Sequence, residues 1–138
     1  MIKKILFPKN TYDTNVSIVL LVLRIAFAGV LVMHGWQKLT HFDATVQQFE
    51  SMDVGGTVAA ALSVFAEFFC ALGVVVGLLY RLALIPLIIN MSVAFFIVHG
   101  AKLMGEGNGE LAFLYLVVFV VLIVAGSGKY ALDRFLSK

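Results

Sequence analysis

Apolar residues in this chain run in blocks. They do not alternate with polar ones as in a half-buried strand. Four blocks, at about residues 16–33, 57–79, 82–98 and 111–125, carry almost no charge. Each is about 15–23 residues long, close to the roughly 20 that cross about 30 Å of hydrocarbon. They are apolar on every side, the pattern of a membrane helix. Lipid offers backbone amides no partners, so an open chain crosses it as helices. With their polar-edged ends the spans become about 16–36, 57–79, 82–99 and 110–126. The expected fold is all-α, a polytopic membrane four-helix bundle forming one domain over residues 1–138.

The connections carry patterns of their own. Phe42, Val46 and Phe49 recur at helical spacing among Asp43, Gln47, Gln48 and Glu50. That predicts a short amphipathic helix at the membrane interface in the first outer loop. Met52-Asp-Val-Gly-Gly56 reads as its stop. Gly105-Glu-Gly-Asn-Gly109 reads as a flexible connection, with a gate as the sharper alternative. The first block is too long for the core of a signal peptide, contains Arg24 and runs into Trp36 and Lys38 without a small-residue cleavage site. It is expected to be a retained span.

Composition narrows the class. Hydrophobic residues make up 62% and charged residues 13%, against roughly 45–50% and about 25% in soluble domains. A chain of 138 residues has too little interior to hide that much apolar surface from water. A soluble globular enzyme, a disordered tail and a nucleic-acid module are therefore excluded. One cysteine, Cys70, leaves no intrachain disulfide, CxxC pair or cysteine-built metal site. Cys70 itself reads as core.

Charge then orients the chain. Lys3, Lys4, Lys9, Arg81, Lys129, Arg134 and Lys138 fall on the side of the termini, against Asp13 and Asp133. The other side has Lys38 and Lys102 against Asp43, Glu50, Asp53, Glu106 and Glu110. The positive-inside rule places both termini in the cytoplasm.

The charges left over lie where lipid should exclude them. Arg24 and Glu67 sit near the middle of spans one and two, each costing roughly 2.5–3.5 kcal/mol if unpaired. The spans are antiparallel neighbours, so an Arg24–Glu67 ion pair is the expected solution. It would either lock the bundle or serve a site. Asn90 on span three is expected to be a structural polar group, bonding between helices. His34 and Lys38 share a face at i and i+4, with Arg24 about 80° away around the helix. Helix direction brings His34, Lys38, His99 and Glu110 to one membrane face. Gly73 and Gly77 form a GxxxG that favours close helix approach.

This set suits one chemistry above others. Histidine and glutamate exchange protons near neutral pH, and lysine or arginine stabilises a developing oxyanion. Together they match the carbonyls of a quinone. Haem and metal are disfavoured as cofactors, although two histidines and a carboxylate are present. No HExxH, phosphate-binding glycine loop or Ser-His-Asp spacing occurs.

Arg24, then His34-Gly-Trp-Gln-Lys38, Glu67, Gly77-Leu-Leu-Tyr-Arg81, His99, Gly109-Glu110 and Gly126-Ser-Gly-Lys-Tyr-Ala-Leu-Asp133 occur in order along the chain. In these residues it resembles the DoxX family of small four-helix membrane proteins over nearly its whole length. The resemblance implies a prokaryotic inner-membrane protein in a redox or quinone-linked setting. The expected role is an accessory subunit with Arg24, His34, Lys38, Glu67, His99 and Glu110 handling ligand or protons. Expected partners are the lipid bilayer, a redox protein and further subunits in a homo- or hetero-oligomer, with no nucleic acid. A small transporter or channel and a non-catalytic scaffold are the alternatives.

Overall fold

The computed structural model describes residues 13–53, 55–105 and 109–136. Among them all regular structure is helical. Helix α1 is Thr14–Thr40, α2 Phe42–Met52, α3 Gly56–Val76, α4 Tyr80–Val98, α5 Glu110–Ala125 and α6 Leu132–Leu136. Three of these, α1, α3 and α4, are long and apolar enough to cross a membrane. Helix α5 is also apolar, with 16 residues. Part of the glycine-rich connection before it, residues 106–108, lies outside the described residues.

The surface is the apolar part. Met33, Val58, Leu62, Ile89, Ile97 and Val124 are all exposed, as expected where lipid takes the place of water. This is a multi-pass membrane protein in contact with the bilayer.

Inside, α3 packs between α1 and α4, and α5 lies against α4 and reaches α1 near Arg24. The inward stripe of α1 is Ser17, Leu20, Arg24, Ala28, Leu31 and Gly35. Its spacing of three and four residues follows from 3.6 residues per turn. Gly35 is needed there: a Cβ would lie 2.6 Å from the Phe68 amide nitrogen of α3. Glycine thus sets how closely α1 and α3 approach, beside Glu67.

Among the described residues, three π-helical segments interrupt the α-helices: Arg24–Ala28 in α1, Phe65–Cys70 in α3 and Val93–Val98 in α4. Such segments are frequent at functional sites. Arg24 and Glu67 both sit in one, and His99 directly follows the third.

The end of α3 revises the GxxxG reading. Gly77 has φ +78° and ends the helix, and the Gly77 and Leu78 amides both donate to the Gly73 carbonyl at 2.8 Å. This is a left-handed cap. The neighbour that comes close to Gly77 is Ala131, next to α6, together with the Arg24 guanidinium.

Candidate functional site

The expected Arg24–Glu67 pair is absent. The two residues belong to separate polar centres, because each finds nearer partners along its own helix neighbours.

Arg24 is fully buried and turns toward the α3–α4 connection. Its Nε donates to the Val74 carbonyl (2.9 Å) and Nη2 to the Val75 carbonyl (2.9 Å). Its Nη1 donates to the carbonyls of Ser127 (3.1 Å) and Tyr130 (2.6 Å). The first two are among the last carbonyls of α3, which lack helical partners and carry the negative end of the helix dipole. The cation thus finds its counter-charge in the backbone. Its guanidinium also lies 5.5 Å from the Tyr80 ring centroid.

Asp133 completes this centre. It is buried, and its two carboxylate oxygens accept from the amides of Leu79 and Tyr80, both at 2.8 Å. These amides open α4, so Asp133 acts as an N-cap contributed from far along the chain. Leu79 has φ +46°, a strained conformation for leucine, and this carboxylate holds it there.

Glu67 pairs with Lys38. Glu67 Oε2 accepts from Lys38 Nζ and, at 2.6 Å, from the Ser63 hydroxyl. Lys38 Nζ also donates to Ser63 Oγ at 3.3 Å and stands 5.7 Å from the Phe49 ring centroid. Helix α1 supplies the lysine, α3 the carboxylate and hydroxyl, and α2 the ring.

A cavity of about 700 Å³ adjoins this pair. Lys38, Ser63, Glu67, Asn90 and His99 contribute its polar wall. Phe65, Leu62, Ile89, Met91 and Val93 contribute apolar wall. Leu62, Phe65, Ile89 and Val93 are also exposed on the outer face, so the cavity opens between α3 and α4 toward the lipid. A few convergent polar groups in a mostly apolar cavity are the usual form of a small-molecule site. Among the described residues no three His, Cys, Asp or Glu side chains gather to hold a metal ion.

The sequence-predicted residues therefore divide. Lys38, Glu67, His99 and Asn90 meet at one cavity. Arg24 lies in the other centre. His34 is exposed and Glu110 is exposed at the start of α5, and neither lines the cavity. His34 shares a face with Lys38, but only the longer lysine side chain, one turn further along α1, reaches the cavity. Ser63, Gln48 and Phe49 were not anticipated. Ser63 was legible as the residue one helical turn before Glu67, and Phe49 as part of the apolar stripe of α2.

The DoxX family model matches residues 19–100. "Uncharacterized protein" of Haemophilus influenzae is 31% identical over 120 residues, 81% of this chain and 86% of that protein. "Inner membrane protein YqjF" of Escherichia coli is 30% identical over 122 residues, 86% of this chain and 92% of that protein. "Putative oxidoreductase CatD" of Bacillus subtilis is 29% identical over 124 residues, 86% of this chain and 87% of that protein. No solved structure matches the chain. The chain belongs to the DoxX family.

Proposed function

We propose that this DoxX-family membrane protein is an accessory subunit of a redox system that binds a quinone in the cavity beside Lys38 and Glu67. The observation that carries this reading is a lysine–carboxylate pair at a cavity that is mostly apolar, has a few further polar groups and opens to lipid. The name of the Bacillus subtilis relative supports a redox setting. That of the Escherichia coli relative supports the inner membrane.

In this reading the protein crosses four times. Helix α5 spans about 24 Å at 1.5 Å per residue, and residues 126–130 complete its passage. Both termini face the cytoplasm, α2 lies at the outer interface, and a redox-protein partner and further subunits complete the assembly.

The residues fit the chemistry. Lys38 donates a hydrogen bond to a ring carbonyl and stabilises negative charge that develops on its oxygen. Glu67, in contact with Lys38, takes or gives the accompanying proton. Asn90 orients the ring through its amide, and His99 stands at the cavity edge to pass protons outward. The electrons come from the partner.

A cation–proton exporter would need a carboxylate open to a cationic substrate. Lys38 already fills that position, which ranks this alternative lower.

Protein extracted with native lipids is expected to retain quinone, detected by solvent extraction and chromatography. Glu67→Gln with His99→Ala should lower binding about tenfold or more, equivalent to about 1.4 kcal/mol. Unchanged binding in that double variant would overturn the site.

A further inference from the structure

A second cavity adjoins the first. It has a volume of about 490 Å³ and lies between α3 and α4, on the side away from Lys38. Phe65 and Pro86 line both cavities, so the two meet at that pair of residues. Beyond them no charged side chain lines the wall. Cys70 and Ala83 are its buried floor, while Phe69, Leu82 and Ile85 stand as walls half open to lipid.

The pair of cavities is thus divided by polarity. Lys38, Ser63, Glu67, Asn90 and His99 lie on one side of Phe65 and Pro86, and only apolar or uncharged residues on the other. From Phe65 to Gly73 the trough follows α3 for about 12 Å at 1.5 Å per residue. Its direction is the helix axis, hence roughly the bilayer normal. A molecule matched to this shape has a compact hydrogen-bonding head and an extended hydrocarbon chain. Its head would lie near the Lys38 end and its chain would descend along the α3–α4 seam.

We propose that this trough holds the hydrocarbon chain of the quinone whose ring occupies the Lys38–Glu67 cavity, so that the protein selects long-chain over chainless quinones. The inference rests on the quinone reading above. Chain burial adds affinity in proportion to the apolar area covered. Pro86 has no amide hydrogen and cannot tie this stretch of α4 into an unbroken ladder, which suits a wall that yields to a flexible chain.

The test uses the full-length protein in nanodiscs. Binding of a quinone with a decyl chain is compared with binding of the same ring without a chain, each corrected for its partition into empty nanodiscs. The wild type is expected to prefer the decyl compound about tenfold or more. Leu82→Trp and Ile85→Trp add bulk to the trough from lipid-exposed positions and should remove that preference while leaving chainless binding unchanged. Leu111→Trp, lipid-exposed on α5 and outside both cavities, should retain it.

A preference that survives both trough variants would overturn the inference and leave a bilayer acyl chain as the occupant. Equal loss of both ligands in the trough variants would overturn it as well. Failure of the wild type to bind even the chainless ring would instead remove the ring site, and this inference with it.

Discussion

Arg24 and Glu67 begin alike and end differently. Both are buried charges within π-helical turns of long apolar helices. Arg24 spends its donors on four backbone carbonyls from two distant segments. Glu67 shares one oxygen between Lys38 and Ser63 and borders a large cavity. A charge whose bonds end on the backbone is a fastener. A charge paired side chain to side chain at a cavity retains capacity for a ligand. The contrast separates structure from chemistry in a chain where burial alone would treat both residues as equivalent.

The largest expected effect comes from cutting the fastener. Arg24→Leu removes the donors to the end of α3 and to residues 127–130, leaving buried carbonyls without partners. The loss should be at least about 3 kcal/mol, the scale of breaking a buried ion pair from one side. Denaturant or thermal unfolding in detergent would measure it. Arg24→Lys should recover little, since a lysine ammonium cannot reproduce the planar fork that reaches both segments. Full stability in Arg24→Leu would erase the distinction between the two centres.

Asp133→Ala is expected next, at about 2–3 kcal/mol, because two amide donors at the start of α4 lose a charged acceptor. Asp133→Asn keeps one acceptor oxygen and should recover part of the loss. Quinone binding, measured per folded molecule, should stay close to wild type in both variants. A selective loss of binding with stability retained would place Asp133 in the functional class after all.

The division between these centres also explains what was legible in the chain. The membrane class followed from block length and from charge depth, because both depend only on residue type and spacing. The blocks overlap closely with α1, α3, α4 and α5. Glu67 and Asn90 were legible as polar groups at midplane depth, and Lys38 and His99 as polar groups at the outer ends of their spans. Their pairing was not. Midplane reasoning compares helix midpoints and sees neither the carbonyls at the end of α3 nor those of residues 127 and 130 that draw Arg24 away from Glu67. Nor could hydropathy show that Lys38 extends down toward Glu67. A long aliphatic stem lets its charge act away from its Cα. The Gly126–Asp133 segment was legible only as the closing element of the DoxX resemblance. Its role emerges from contacts with residues some fifty to a hundred positions earlier, which no local pattern encodes.

The smallest change in stability should come from removing the Lys38–Glu67 pair as a unit. Lys38→Met alone leaves Glu67 without its cation and should cost about 1–2 kcal/mol, less than a fully buried break because Lys38 is partly exposed. Lys38→Met combined with Glu67→Leu removes both charges and fills their space with apolar volume. Such replacements are often neutral or stabilising, so the double variant should fall within about 1 kcal/mol of wild type. The non-additivity of the single and double variants measures the coupling of the pair. No equivalent double change exists for Arg24, whose partners are backbone carbonyls that substitution cannot delete. A stable double variant that no longer binds quinone would show that the pair is kept for its ligand. A stable double variant that still binds it would return the cavity to packing alone. A double variant as unstable as Arg24→Leu would make Lys38–Glu67 a second fastener.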